Sequence, residues 1–253
     1  MLYICIPSFD EAPTVGVLLW KIRKVFQEYS REYEILVYDD ASTDATAETL
    51  ESYKKVLPLT VIRGESRVGY ARALTELCRA AAQRTRYARR DAVITLQADF
   101  TDQPEHIPEL VKRFEGGADV VVAESANPNA GPTPVRRLRR FAPLALRLSI
   151  QTPGVKDPFG SLRVYRVSIL RDAFKAAGDT PLLAGEGWAA NVDLLLATLP
   201  HARRVETVTM ESRYDLRPRA SRIKPLADVL NLYRFGRAAR RRPQPAAPTT
   251  AGT

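Results

Sequence analysis

The chain has 253 residues, 45% of them hydrophobic and 26% charged, which is ordinary globular composition with room for one large α/β domain and excludes a wholly disordered chain. Its 38 Lys and Arg against 29 Asp and Glu give a net charge of +9, an excess that needs an anionic partner or a solvated face. Two cysteines and two histidines exclude a disulfide framework or a His/Cys metal centre: Cys5 and Cys78 fit buried thiols of a reducing compartment, and His106 and His201 fit surface or capping positions.

Apolar, β-rich runs at 2–6, 33–38, 59–62, 92–96 and 119–123 alternate with stretches of helical period, the signature of βαβ units and a mainly parallel, doubly wound sheet. The run 1–9 has no positive charge before it and leads straight into Asp10 and Glu11, so it reads as a strand and not as a leader. No apolar run approaches the roughly 20 residues needed to cross a bilayer. The expected location is therefore the cytoplasm, with a peripheral place on the inner face of the membrane. In the first helix Val15, Leu18, Leu19, Ile22, Phe26 and Tyr29 share one face, with Pro13 near its start. Further helices are expected at 44–53, 70–82 and 105–114. Beyond Ala123 a loop rich in Pro, Gly and Asn precedes Arg136, Arg137, Arg139, Arg140 and Arg147, which punctuate a basic amphipathic helix reaching 150 and bent at Pro143. From Arg213 to Arg242 ten Lys or Arg face only Asp215 and Asp228. The organisation expected is one domain over 1–224, with halves at 1–124 (nucleotide side) and 125–224 (acceptor side). A basic amphipathic helix at 225–242 and a disordered tail at 243–253, rich in Pro, Ala and Thr, follow.

In an open parallel sheet a ligand sits beyond the carboxyl ends of the strands. The first run ends in Ile6-Pro7-Ser8-Phe9-Asp10-Glu11, the second in Tyr38-Asp39-Asp40-Ala41-Ser42-Thr43-Asp44 and the fourth in Leu96-Gln97-Ala98-Asp99-Phe100-Thr101-Asp102. In this order and spacing the chain resembles the family 2 glycosyltransferases, and among them the dolichol-phosphate or polyprenyl-phosphate mannosyltransferases, over residues 2–224. Pro7, Phe9 and Glu11 match the family's opening strand, and Asp39, Asp40, Ser42 and Asp44 match its paired-aspartate step. The third motif resembles its Asp-x-Asp metal site with Gln97 in place of the first acid. Asp157 to Arg166 resembles its Asp-x-x-Ser-Gly-Phe-Arg segment with Ser and Gly transposed. Gly185-Glu186-Gly187-Trp188, with Asn191 and Asp193 after it, is similar to its acceptor-side segment. Arg217, Arg219, Ser221 and Arg222 are similar to its Arg-x-x-Gly-x-Ser-Lys loop, one residue shorter and with Ala220 for the glycine.

The resemblance implies a GT-A fold and an inverting transfer of one sugar from GDP-mannose or a UDP-sugar to a polyprenyl or dolichyl phosphate acceptor. It places the nucleotide sugar on Pro7, Phe9, Glu11, Tyr38, Asp40, Gln97, Ala98, Asp99, Arg217 and Ser221. A Mg or Mn ion would rest on Asp99, Gln97 and Thr101, with Asp102 as a further oxygen donor. Carboxylates of Glu11 and Asp40 suit ribose or base donors, and Phe9 suits stacking on the base. Asp39 and Asp44 equally suit turn and helix capping, and Asp99 and Asp102 equally suit capping of the following helix. Arg217 or Arg219 would neutralise the leaving diphosphate. A phosphate acceptor needs no base, whereas a hydroxyl acceptor would need Glu186 or Asp193 as one. The arginine-rich helices direct the partner expectation to lipid phosphate and an anionic membrane surface. A non-catalytic nucleotide-sugar binder is the alternative that Gln97 suggests. Nucleic acid is not expected, for the basic clusters lack interleaved aromatics, and a sugar-nucleotide pyrophosphorylase would want a glycine-rich loop where Pro7 to Glu11 stands.

Overall fold

The computed structural model describes residues 1–127, 131–147, 152–211 and 225–239. The chain opens with strand β1 (Leu2–Ser8) and helix α1 (Ala12–Glu28), followed by β2 (Tyr33–Asp39), α2 (Thr46–Lys54), β3 (Leu59–Arg63), α3 (Tyr70–Arg84) and β4 (Ala92–Thr95). A 3-10 turn (Pro104–His106) leads into α4 (Ile107–Glu115), β5 (Val120–Ser125) and α5 (Thr133–Arg147). Then come β6 (Arg163–Arg166), α6 (Val167–Ala177), α7 (Trp188–Thr198), a second 3-10 turn (Leu199–His201), β7 (Val205–Met210) and α8 (Pro225–Ala239). The five strands and four helices expected up to residue 123 are present with only their ends shifted. The basic helix expected after the loop is α5, whose last described residue is Arg147, and the helix expected at 225–242 is α8, described to Ala239. The 243–253 tail lies outside the described residues.

One sheet runs through the described chain in the order β3-β2-β1-β4-β6-β5-β7. Parallel pairing joins β1 to β2 and β4, β2 to β3, and β5 to β7; β6 alone runs antiparallel, wedged between β4 and β5. The sheet is thus mainly parallel, as the pattern implied, but with an antiparallel insertion that the pattern did not announce. Four residues reading Arg-Val-Tyr-Arg do not look like a central strand.

The central strands β1 and β4 are buried on both faces, which is why β1 reads as an unbroken apolar run. Alternation along β1 sends Leu2, Ile4 and Ile6 into a core shared with Leu18, Leu19 and Ile22 of α1 and Leu110 and Val111 of α4. Tyr3 and Cys5 enter the opposite core, with Leu74, Leu77 and Cys78 of α3, Leu170 of α6 and Leu194 of α7. Each fully buried Leu or Ile of α1 stabilises the fold by about 1.5–3 kcal/mol. A third cluster joins Leu138 and Ala142 of α5, Ala189 and Val192 of α7 and Leu232 and Phe235 of α8 around Phe159. It places α5 and α8 beside the carboxyl-end rim of the sheet, where the cavity lies.

Candidate active site

The chain reverses its winding at β1, which has β2 on one side and β4 on the other, so a crevice opens beyond their carboxyl ends. A cavity of about 380 Å³ occupies it. The backbone departs from ordinary conformations at each of the three strand exits: Asp10, Ala41 and Phe100 take positive φ of 50°, 57° and 68°. Such strain persists only where surrounding contacts overdetermine it, and it gathers at ligand sites.

Those contacts divide the acidic residues into two sets. Asp10 Oδ1 accepts the Thr43 amide at 2.8 Å, while the Asp10 amide donates to Ser42 Oγ at 2.9 Å. Asp39 is fully buried, accepts the Ser42 amide at 3.1 Å and pairs with Arg63 at 3.7 Å. Asp44 accepts the amides of Thr46 and Ala12 at 2.9 and 3.1 Å, joining the starts of α1 and α2. Desolvation works against its charge, but the bonds from Thr46 and Ala12 outweigh that and hold its carboxyl below the usual value. Asp10 and Asp44 therefore staple the exits of β1 and β2 together, while Asp39 ties the β2 turn to Arg63 of β3. Glu11, Asp40 and Asp99 are buried yet line the cavity. Glu11 Oε2 accepts the Thr14 hydroxyl at 3.0 Å, and Asp99 Oδ1 accepts the Thr101 amide at 3.0 Å. The Asp40 carboxylate spans the Val68 and Gly69 amides at 2.6 and 3.0 Å. The N-cap residues of the 3-10 turn and helix after Asp102 are Gln103 and His106, and Asp102 itself bonds the Ser161 hydroxyl.

Of the residues the motifs singled out, Pro7, Phe9, Glu11, Asp40, Gln97, Ala98, Asp99, Thr101 and Glu186 line this cavity together. Two do not. Tyr38 packs into the core of the α3 face, its hydroxyl against Gly64. Asp193 is fully buried in α7, where its Oδ2 accepts the amides of Ala184 and Gly185 at 2.7 and 3.2 Å. It shapes the Gly185-Glu186-Gly187 turn and is not placed to take a proton in the cavity. Gly185 has to be glycine there, since a Cβ would stand 2.7 Å from the Ala189 carbonyl carbon. Arg217, Arg219 and Ser221 lie outside the described residues.

Glu186 is found at a place the sequence did not suggest. Its carboxylate stands against Gly69, whose φ is +89° and whose Cβ would come within 3.1 Å of it. Partial burial raises its pKa first of all, with nearby Asp40 adding to the rise against the bonds from Ala71 and Gly187 and the pull of Arg67. Glu186 thus belongs with Asp40 at the start of α3. Arg67 was missed by sequence reasoning; its guanidinium lies 4.0 Å over the Phe9 ring. The signal was Arg67-Val68-Gly69 immediately before a helix, a backbone suited to holding an anion. Tyr70, Glu124 and Asp228 of α8 were missed as well, because nothing near them in sequence marks them as neighbours of the β1 exit.

A buried polar network closes the far wall. The Tyr70 hydroxyl donates to Asn191 Oδ1 at 2.8 Å, and Asn191 Nδ2 donates to the Phe159 carbonyl at 2.9 Å. Arg163, 1% exposed, donates to the Tyr165 hydroxyl and to the carbonyls of Asn191 and Pro158. Trp188 packs on Phe159 with ring centroids 5.4 Å apart and also faces the cavity.

The described lining carries the carboxylates of Glu11, Asp40, Asp99, Asp102, Glu124, Asp157, Glu186, Glu211 and Asp228, against the guanidinium of Arg67. A divalent cation fits such a wall. Among the described residues no three acidic, His or Cys side chains converge tightly enough to hold one alone. Asp99, with the oxygens of Gln97 and Thr101 nearby, fits a cation whose shell a ligand's phosphates complete.

The family profile described as "Glycosyl transferase family 2" matches residues 3–174. The chain belongs to this family. Undecaprenyl-phosphate 4-deoxy-4-formamido-L-arabinose transferase of Pseudomonas fluorescens (strain Pf0-1) is 31% identical over 193 residues, 72% of this chain and 52% of that protein. Its counterpart in strain SBW25 is 30% identical over 213 residues, 79% and 57% of the two chains. The chain thus spans about half the length of the curated relatives it matches. Among solved structures, glucosyl-3-phosphoglycerate synthase from Mycobacterium tuberculosis in complex with phosphoglyceric acid has a TM-score of 0.62 at 18% identity, covering 93% of this chain and 79% of that one. S. aureus TarS 1-349 in complex with UDP has a TM-score of 0.56 at 15% identity, covering 83% and 58%. These likenesses establish the fold, a GT-A glycosyltransferase domain. Among the described residues no helix is long and apolar enough to cross a membrane.

Proposed function

We infer that the chain transfers a sugar, with inversion, from a nucleotide-sugar donor to a polyprenyl phosphate. The observation that carries this is the convergence of Phe9, Glu11, Asp40 and Asp99 on one cavity at the winding reversal of the sheet. The relatives' names, transferases acting on undecaprenyl phosphate, support the acceptor class. Phe9 and Arg67 receive the base, Glu11 and Asp40 accept hydrogen bonds from base or ribose, and Asp99 faces the diphosphate. A Mg or Mn ion held by Asp99 and the diphosphate supplies charge neutralisation to the leaving group. The chain's own basic groups extend that neutralisation: Arg217 and Arg219, within a segment holding Arg213, Arg222 and Lys224, are assigned to the diphosphate oxygens, and Ser221 to a further hydrogen bond. The acid-rich cavity makes such countercharge necessary, since two phosphates would otherwise meet carboxylates on most sides.

A lipid phosphate reacts as an anion and needs no general base, in keeping with the burial of Asp193 away from the cavity. The outward faces of α8 and α5 fit an anionic membrane surface: Leu230, Tyr233, Arg234 and Arg237 on one, Arg136, Arg137, Arg140 and Phe141 on the other, all exposed. The domain organisation that follows is a catalytic unit over 1–224 with 225–242 as its membrane-facing helix. Two alternatives remain as outcomes of a single test, a transferase using a hydroxyl acceptor with Glu186 as base, and a binder without turnover.

The test is release of UDP or GDP from a panel of nucleotide sugars with Mn or Mg, with and without a short polyprenyl phosphate, for wild type and Asp99→Ala. Acceptor-dependent release that falls by a factor on the order of 10²–10³ in Asp99→Ala is expected. Donor binding without release identifies the binder, and release driven only by hydroxyl acceptors identifies the alternative transferase.

A further inference from the structure

Gly160-Ser161 stands where the family's segment before β6 has Ser and then Gly, and the contacts of both residues account for the exchange. A Cβ at 160 would stand 3.1 Å from the Ala123 carbonyl oxygen. That oxygen belongs to β5, which is held in place here by the Ala123 amide donating to the Leu162 carbonyl at 3.1 Å. The serine comes one position later, where it is 7% exposed and its hydroxyl donates to the Asp102 carboxylate. Ser161 also holds the other end of the same loop: its carbonyl accepts the hydroxyl of Thr95, the last residue of β4. One residue thus fastens the chain at 95 and at 102. Between these points lie Gln97, Asp99 and Thr101, the residues to which the cation is assigned. Phe100, also between them, takes a φ of 68°, a conformation that needs support on several sides. Further support comes from Gln103 Nε2, which donates to the Phe100 carbonyl at 2.9 Å, and from Lys21, which donates to Gln103 Oε1 at 3.1 Å.

We propose that Ser161 is a positioning residue: by fastening both ends of the 95–102 loop to the segment that enters β6, it holds Asp99, Gln97 and Thr101 in the arrangement that receives a divalent cation. The inference rests on the proposed nucleotide-sugar reading for the cation, though not for the fastening. The Ser161 hydroxyl gives its one proton to Asp102, so Ser161 acts on the cation through the loop. The antiparallel insertion of β6 makes this possible. Thr95 pairs with Arg163 across the two strands, and residue 161 therefore arrives beside the exit of β4. A loop that carries the cation's donors is in this way tied to a strand from another part of the chain, and its shape does not depend on its own turn alone. The Gly-Ser order is then what the packing of 160 on β5 and the bond to Asp102 require together.

The experiment compares, in the full chain, Ser161→Ala, which removes the hydroxyl and keeps the carbonyl, with Thr95→Val, which removes the other donor and keeps the shape. The first readout is Mn²⁺ titration in the presence of UDP and, separately, GDP. Ser161→Ala is expected to weaken Mn²⁺ uptake by the nucleotide complex on the order of tenfold, and Thr95→Val to weaken it by a smaller factor. Nucleotide affinity measured in EDTA should stay as in wild type. Unchanged Mn²⁺ affinity in folded Ser161→Ala overturns the positioning role, and so does an equal loss of nucleotide affinity without metal, since a purely structural serine would spare both or damage both. If Ser161→Ala fails to fold, Thr95→Val decides by the same criterion. The second readout is thermal melting without metal. Ser161→Ala should lower Tm by roughly 2–8 °C, and by distinctly less in an Asp102→Ala background, where the acceptor is already gone. Additive shifts overturn the bond between 161 and 102. Failure of the wild type to take up either nucleotide overturns the proposed function, and the cation role with it, while the melting cycle still decides the fastening.

Discussion

The wall of the cavity made by the exits of β1, β2 and β4 and the wall made by residues 157–161, 186–188 and α8 hold their polar groups by different means. On the first, Glu11, Asp40 and Asp99 follow a strand end closely and are held by a nearby hydroxyl or by backbone amides. On the second, Phe159 and Asn191 are brought together from separate segments by side-chain bonds such as those of Arg163 and Tyr70. The first wall is a property of parallel strands and their turns; the second exists only once β6 has been inserted antiparallel between β4 and β5. Local turns tolerate loss of one partner, whereas a network fails as a unit.

That contrast is broken most severely at Arg163. Arg163→Ala empties a fully buried site and strands the Tyr165 hydroxyl and the Pro158 and Asn191 carbonyls, so urea unfolding should show a loss of about 3–5 kcal/mol. A loss near zero would mean that the second wall is not held by this network. Asp40→Ala should come next, at roughly 1–2 kcal/mol, because it leaves the half-buried Val68 and Gly69 amides without an acceptor. Isothermal titration of the same variant with UDP or GDP should show nucleotide affinity reduced far more than in Arg163→Ala, if the first wall is the donor wall. The smallest effect is at Glu186, where the two walls touch. Its folded pKa is raised, so its contribution to stability is present in full below the unfolded carboxyl value of about 4.3 and is lost as pH rises through the folded value. Glu186→Gln should therefore gain on wild type in melting temperature between pH 4 and pH 7, and a difference that stays flat across that range means that the folded protein does not raise the Glu186 carboxyl.

Much of the first wall was legible in the residues themselves. Pro7, Phe9, Glu11, Asp40 and Asp99 follow β-rich runs in the order an open parallel sheet requires, and they meet at its winding reversal. Position along a strand end does not reveal which face a side chain takes, and the alternation of β2 turns Tyr38 into the α3-side core. An acid after a glycine-rich turn looks the same whether it faces solvent, ligand or its own backbone amides, and Asp193 faces the amides. Arg67 could have been found from the glycine that precedes α3, while Glu124 and Asp228 could not, since their nearness to the cavity depends on how β5 and α8 pack.

The sequence by itself determined the alternation of strands and helices, the two-sided burial of β1 and the acidic strand exits, because periodicity and turn chemistry are local and each is written within a few residues. Only the tertiary structure decided that β6 runs antiparallel, that Glu186 stands on Gly69 beside Asp40, and that Asn191 joins the Tyr70 hydroxyl to the Phe159 carbonyl. Those are pairings between residues far apart in the chain, set by which buried donors and acceptors can be satisfied at once, and no local pattern carries that constraint.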